Sequence, residues 1–260
     1  MNTKTALIGH TGFVGSNIAH QVQFNELYNS QNIEQIKGRE YDLVVCAGAR
    51  AEKWKANREP EQDLLNIQKL TDCLKTVRSR HFVLASTVDV YLSPQNVDEE
   101  TPILTPNLSA YGLHRYKLER FAREYFPSLT IIRLPGLFGK GLKKNFIFDM
   151  LHNNALHLTD ADSRFQFYGL DNVWNDIEKV MKNKIELINF ATQPVSAREV
   201  AEGCFGVEFF NKTPTGAVFY DMRTRYAHVF SRSGNYLWDL DHELLEIRRF
   251  VERERKGLQQ

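Results

Sequence analysis

Two periods alternate along the first half of the chain. Continuous apolar runs occur at Thr5-Ala6-Leu7-Ile8, within Tyr41-Asp42-Leu43-Val44-Val45-Cys46-Ala47-Gly48-Ala49, at His81-Phe82-Val83-Leu84-Ala85, and from Leu129 to Leu134. Short runs apolar on both faces predict buried parallel strands. Phe24 to Tyr28 is a weaker run and predicts a short second strand. Between the runs, apolar residues fall at helical spacing. They do so after Ser16, at Leu64, Ile67, Leu70, Leu74 and Val77 within 60–78, and at Leu118, Phe121, Ala122 and Tyr125. Ser109 stands where it would cap the last of these helices. Strands alternating with helices in this rhythm predict an α/β fold built on a doubly wound parallel sheet.

From Ser93 to Asn107 the three prolines and the acids Asp98, Glu99 and Glu100 predict a surface loop with solvated carboxylates. Beyond Gly141 the pattern loosens, although Asp176–Lys182 and Ile185–Phe190 predict a helix and a strand that return to the sheet. A final helix is expected from Asp241 to Arg253, with the mixed charges of Glu243 to Arg255 on a solvated face. The expected division is therefore 1–140 with 170–190 as the main domain, and 141–169 with 191–260 as a small C-terminal lobe.

Composition excludes several classes. A chain of 260 residues, 42% hydrophobic and 25% charged, is ordinary for a globular protein. A formal net charge of +1 offers no broad attraction for nucleic acid or an anionic membrane. No apolar run approaches a membrane span and no signal peptide is visible, so a cytoplasmic location is expected. Cys46, Cys73 and Cys204 have no metal-ligand spacing, so no metal is expected, and Cys46 reads as a buried reduced thiol.

Candidate chemistry begins at Gly9-His10-Thr11-Gly12-Phe13-Val14-Gly15, which joins the first strand to the first helix. Glycines at this spacing allow a tight turn and close approach of the backbone to a pyrophosphate, and the helix N-terminus favours its charge. The pattern predicts a Rossmann-type site for NAD or NADP contacted by Gly9, Thr11, Gly12, Phe13, Val14 and Gly15. About 20 residues further on, NAD sites usually place a carboxylate against the ribose 2′-hydroxyl. Asn29 and Ser30 stand there instead, and Arg39 and Arg50 are the cations available for a 2′-phosphate, so both cofactors remain open. The small residues Ala47, Gly48 and Ala49 would let a cofactor lie close.

Ligands of such sheets bind beyond the carboxyl ends of the strands. Thr87 ends the fourth strand, Tyr111 opens the next helix, and Arg115 lies four residues on, on the same face. A hydroxyl, a tyrosine and a cation together suit hydride transfer to or from a carbinol: the tyrosine exchanges the proton, the hydroxyl holds the oxygen, and the cation lowers the phenol's pKa. Lys53 and Trp54 follow the third strand; Lys53 borders the pocket in this reading and Trp54 packs. His114 is expected to pack or to face solvent. Asp89 is either a base or a strand-end carboxylate accepting backbone N–H bonds. Arg223 and Arg225 suit either a diphosphate clamp or a solvated surface.

Four motifs now stand in order: the glycine turn, Ser86-Thr87-Val88-Asp89-Val90-Tyr91, Tyr111-Gly112-Leu113-His114-Arg115 followed by Glu119, and Arg133-Leu134-Pro135-Gly136-Leu137-Phe138-Gly139. Together they resemble the extended short-chain dehydrogenase/reductase superfamily, and within it the NAD-dependent epimerase/dehydratase family of nucleotide-sugar enzymes. The resemblance implies an NAD(P)-dependent epimerase or keto-sugar reductase acting on a nucleotide-linked sugar. Thr87 would be the catalytic hydroxyl, Tyr111 the acid/base, and Arg115 a ribose contact, with Leu134 and Pro135 also lining the cofactor. Asn145 would contact substrate, Asn66 would be the family's helix asparagine, and Arg164 and Gln166 lie where a phosphate-binding arginine belongs. The C-terminal lobe would bind substrate, and a homodimer would form through the helices near 60–78 and 109–125. Two departures matter. Arginine at 115 replaces the family's lysine; it keeps the charge but cannot relay a proton, which leaves a catalytically silent dinucleotide-binding sensor or scaffold as a rival. The family's 4,6-dehydratases carry an acidic base two residues after the threonine, and Asp89 stands there, so dehydration remains an alternative.

Overall fold

The computed structural model describes residues 3–258. Helices are, in chain order, α1 (Phe13–Gln21), α2 (Lys53–Arg58), α3 (Pro60–Leu74), α4 (Ala110–Tyr125), α5 (Phe146–His152), α6 (Val173–Lys182), α7 (Ala197–Val200) and α8 (Leu240–Leu258). Six strands form the main sheet: β1 (Thr5–Ile8), β2 (Glu26–Tyr28), β3 (Glu40–Cys46), β4 (Arg78–Thr87), β5 (Leu129–Leu134) and β6 (Leu187–Asn189). They are parallel and ordered β6-β5-β4-β3-β1-β2. Ala6 pairs with Glu26 on one side and Val44 on the other, while Cys46 pairs with Leu84. The order reverses at β1, and this switch point is where doubly wound sheets bind ligands.

The chain divides into two units. The first comprises residues up to Ser93, Thr101–Arg133 and Asn172–Ile188. Its core packs Ile8, Val44, Cys46, Phe82, Leu84 and Ile131 of the strands against Ile67, Leu70 and Leu74 of α3 and Leu118 and Ala122 of α4. Phe82 and Phe126 stack with centroids 3.9 Å apart. Ser109 caps α4 as expected, its hydroxyl accepting from Gly112 N–H at 3.3 Å. A buried polar tie holds α4 to the strands: Arg133 donates to both oxygens of Glu119, at 3.0 and 2.7 Å, and to the Tyr91 hydroxyl at 2.7 Å. Ser86 completes it with a 2.5 Å bond to Glu119. The free thiols of Cys46, Cys73 and Cys204 are all buried.

The second unit comprises Pro94–Glu100, Leu134–Asp171 and the chain from Asn189 onward. It is built on an aromatic cluster including Phe138, Phe146, Phe167, Phe209 and Phe250. Three sequence expectations are corrected here. The segment around 93–107 contains a strand, Gln95–Val97, paired in parallel with Asp221–Met222. Its acids are not merely solvated: Glu99 accepts from Asn189 N–H at 2.9 Å, Thr224 hydroxyl at 2.6 Å and Arg225 N–H at 3.0 Å, and Glu100 pairs with Arg225. On α8, Glu243 is fully buried and accepts from Phe167 N–H at 2.8 Å, because the helix turns this position into the aromatic core. No helix among the described residues is long and apolar enough to cross a membrane.

Candidate active site

The glycine turn is shaped by steric necessity. Gly9 has φ +87°, and a Cβ there would lie 2.3 Å from the Ala47 carbonyl oxygen. A Cβ on Gly15 would lie 2.1 Å from the Gly9 carbonyl oxygen, so neither position admits a side chain. Gly9 N–H is held by the Tyr28 carbonyl at 2.7 Å and Gly12 N–H by the Gly9 carbonyl at 2.9 Å. Gly12 is the N-cap of α1, without a side-chain cap and with no acidic residue in the first turn. Thr11 and Gly12 are exposed, and Phe13 and Val14 open the helix half-buried. First-turn N–H groups of a helix have no intrahelical acceptor, so this end presents donors to an anion.

Around the turn, Ala47, Gly48 and Ala49 follow β3 half-buried, and Ser30 is exposed just beyond β2. Asn29 lies 3.4 Å from His10 through its amide nitrogen. Arg39 is held by Glu26 at 2.8 Å, near the start rather than the end of β2. Arg50 contributes its carbonyl to Arg115.

At the carboxyl end of β4 the catalytic candidates come together. Thr87 accepts from Asp89 N–H at 3.2 Å, and its hydroxyl donates to Asp89 Oδ2 at 3.3 Å. Tyr111 is 7% exposed, and its N–H donates to the Asn57 side chain at 3.0 Å. The Arg115 guanidinium stacks over the Tyr111 ring, 4.4 Å from the centroid. Burial raises the phenol's pKa above its ordinary value; the Arg115 charge, the Thr87 hydroxyl and Lys53 pull it down, and Asp89 adds to the rise. The expected lowering by Arg115 is therefore present but outweighed by desolvation.

The reason for arginine at 115 is a residue that sequence reading did not single out. Asp63 on α3 accepts from Arg115 at 2.7 and 3.0 Å, a bidentate pair that lysine cannot make. His114 is buried, as the packing alternative required, and lies 2.8 Å from the same carboxylate. Burial would raise the pKa of Asp63, but the hydrogen bonds from Arg115 and His114 hold it below the ordinary value. Arg115 Nε is buried without a protein partner among the described residues. Asp63 stands 52 positions from Arg115, a separation at which no local pattern announces the contact.

Asp89 corrects the backbone-accepting alternative. Its own N–H donates to Thr87, and its carboxylate receives Lys53 Nζ at 2.5 Å. Trp54, expected to pack, is 63% exposed because the short α2 turns it outward. Asn66 lies half-buried on α3.

The remaining expected substrate contacts lie in the second unit. Asn145, at φ 106°, caps α5 by accepting from Phe148 N–H at 3.2 Å and donates to the Leu137 carbonyl at 2.8 Å. Gln166 is buried; its amide nitrogen donates to the Thr192 and Met222 carbonyls and its oxygen accepts from Met222 N–H at 2.8 Å. Backbone groups thus hold both ends of that amide, which makes Gln166 a tie within the fold rather than a phosphate ligand. Arg223 is held by Asp221 at 2.8 Å. Arg164 is exposed. Leu134 ends β5 and Pro135 follows it directly.

Residues 22–169 match the NAD dependent epimerase/dehydratase family, and the chain belongs to that family. It is a family of nucleotide-sugar epimerases, reductases and dehydratases. The chain resembles the dTDP-4-dehydrorhamnose reductase of Bacillus anthracis solved with NADP, at TM-score 0.73 and 15% identity over 97% of this chain and 99% of that one. It resembles the UDP-glucose 4-epimerase of Thermotoga maritima solved with UDP-glucose at TM-score 0.71 and 19% identity, over 98% and 99%. An NAD-dependent NDP-hexosamine 5,6-dehydratase of tunicamycin biosynthesis aligns at TM-score 0.72 and 16% identity, over 98% of each chain. At these identities the likeness is one of fold. A search of curated protein sequences gave no match.

Proposed function

We propose that this protein is an NAD(P)-dependent epimerase or keto-sugar reductase acting on a nucleotide-linked sugar. The observation that carries the reading is the assembly of Thr87, Tyr111 and Arg115 at the carboxyl end of β4, in the same unit as a glycine turn that admits no side chain at Gly9 or Gly15. The residues fit a dinucleotide: the uncapped α1 terminus suits its diphosphate, and the buried Arg115 Nε–H, without a partner among the described residues, suits a ribose hydroxyl. Gly9, Thr11, Gly12, Phe13, Val14 and Gly15 would hold the diphosphate, with Ser30, Ala47, Gly48, Ala49, Leu134 and Pro135 as further contacts. When bound, the nicotinamide supplies the hydride acceptor or donor.

The chain's own residues handle the proton and the oxygen. Tyr111 gives a proton to the sugar oxygen in reduction and takes it in oxidation, and Thr87 hydrogen-bonds that oxygen. Its raised pKa keeps Tyr111 protonated in the free protein, the form that reduction needs. Arg115, fixed by Asp63, holds a permanent positive charge over the phenol ring. In the second unit, Arg164, Arg225 and Asn145 are the proposed substrate contacts. Exposed Leu65 on α3 and Tyr125 on α4 support a homodimer through these helices.

The test is turnover. Purified protein is mixed with NAD, NADP, NADH or NADPH in turn and a panel of UDP- and dTDP-linked sugars that includes 4-keto forms, following absorbance and sugar products. Conversion of one member is expected. Water loss from the sugar would instead favour the dehydratase with Asp89 as base. Cofactor binding without conversion of any member would favour the silent binding protein.

A further inference from the structure

β2 ends at Tyr28, and the residues just past it are tied to the glycine turn. Gly9 N–H donates to the Tyr28 carbonyl at 2.7 Å, and the amide nitrogen of Asn29 lies 3.4 Å from His10 Nε2. Asn29 stands about 20 residues after Gly9, where the ribose of a dinucleotide whose diphosphate rests on such a turn meets the protein.

The hydrogen bonds of this corner set its polarity. Asn29 Oδ1 accepts from Gln31 N–H at 2.8 Å, which fixes the orientation of the amide and turns its nitrogen toward His10. The Asn29 carbonyl accepts from Asn32 N–H at 3.3 Å, Asn32 Oδ1 from Asn29 N–H at 2.7 Å, and the Leu27 carbonyl from the Asn32 amide at 3.0 Å. These acceptors are engaged within the loop itself. What remains for a ligand is donor in character: the second amide proton of Asn29 and the exposed Ser30 hydroxyl. The carboxylates of this stretch pair elsewhere, Glu26 with Arg39 at 2.8 Å and Glu34 with Lys37 at 2.5 Å. A ribose 2′-hydroxyl has a proton that needs an acceptor, and the carboxylate of an NAD site supplies it. A 2′-phosphate carries acceptor oxygens and a negative charge that such a carboxylate would repel.

We propose that this chain takes NADP(H) in preference to NAD(H), and that Asn29 sets the choice by offering an amide nitrogen where an NAD site offers a carboxylate. The inference rests on the reading of the Gly9–Gly15 turn as a dinucleotide site and deepens it by naming the phosphorylated cofactor. Arg39 is tied to Glu26 near the start of β2, so neutral donors meet the phosphate, with Ser30 as the second contact. Hydrogen bonds from neutral donors to a charged group support a preference of about tenfold.

The experiment is a fluorescence titration of the purified full chain with NADPH and with NADH, followed by competition with 2′,5′-ADP and 5′-AMP, which differ only in the 2′-phosphate. Wild type should bind NADPH about tenfold more tightly than NADH, and 2′,5′-ADP should displace it at about tenfold lower concentration than 5′-AMP. Asn29→Asp keeps the oxygen that takes Gln31 N–H and replaces the amide nitrogen with a second, charged acceptor. It should reverse the order, weakening NADPH about tenfold and tightening NADH. Should that variant fail to fold by circular dichroism, Asn29→Ser, whose hydroxyl can still accept from Gln31 N–H, takes its place and should abolish the preference. NADH bound by wild type as tightly as NADPH, or a folded Asn29 variant that keeps the wild-type preference, overturns the proposal. Tight binding of NADH alone would remove this choice and leave the dinucleotide reading intact, whereas binding of neither cofactor would remove both. A preference for NADPH without turnover on any nucleotide sugar would count against the proposed function and leave this inference standing.

Discussion

At the residue scale, the site divides into groups that act and groups that hold them. Tyr111→Phe removes the exchangeable proton and keeps the ring under Arg115, so turnover should fall by about 10²–10⁴-fold while cofactor affinity is unchanged. Steady-state rates and a cofactor titration check both halves. Asp63 holds rather than acts. Asp63→Asn would leave Arg115 buried without a carboxylate, and loss of one member of such a pair costs about 3–5 kcal/mol. Urea denaturation should show that loss; an unchanged midpoint would mean that Arg115 is not anchored there. Arg115→Lys restores the family's residue but cannot span both Asp63 oxygens, so it should lose stability as well.

At the element scale, the glycine turn makes the sharpest demand. Gly9→Ala must move β1 and the Ala47 carbonyl apart, because the new methyl would lie 2.3 Å from that oxygen at a φ of +87°. Affinity for NAD(H) or NADP(H), read by fluorescence titration, should weaken about tenfold or more as the first-turn donors of α1 shift. This turn was legible in the sequence because its chemistry is local, three glycines between an apolar run and a helix. The same holds for the strands β1, β3, β4 and β5 and for the Ser109 cap. Contacts between distant segments were not legible. Asp63 reads as one acid among several on α3, and only the packing of α3 beside α4 brings it to Arg115. Glu99 sits among neighbouring acids and looks solvated, yet its partners Asn189, Thr224 and Arg225 lie about a hundred residues or more away. Trp54 looked apolar enough to pack, but the short α2 leaves its side chain exposed.

At the scale of the whole molecule, each unit carries a carboxyl whose shifted pKa links stability to pH, with opposite signs. Glu26 in the first unit feels desolvation, which raises its pKa. Hydrogen bonds from Tyr28 and Tyr41, with the charges of Lys4 and Arg39, outweigh it and lower the value to about 2 from 4.5. The unfolded chain therefore binds the proton first as pH falls, so this stabilisation is present above about 4.5 and is lost as pH drops toward about 2. Glu243 in the second unit is held well above the ordinary value by burial. Its contribution is complete at low pH and is lost as pH rises through that raised value. Melting temperatures between about pH 3 and about pH 9 should show Glu26→Gln flattening the acid limb and Glu243→Gln flattening the alkaline one. Exchange of these two effects would contradict the assignment.

The central claim is that Tyr111 and Thr87 meet the reacting carbon of a nucleotide sugar beside a dinucleotide seated on the Gly9–Gly15 turn. A crystal structure of the protein soaked with NAD and a panel of UDP- and dTDP-sugars tests it most directly. The account predicts the diphosphate at the N-terminus of α1 and a sugar hydroxyl or keto oxygen within hydrogen-bonding distance of both side chains. A cofactor lodged away from that turn, or a sugar whose oxygens all avoid Tyr111, would contradict it.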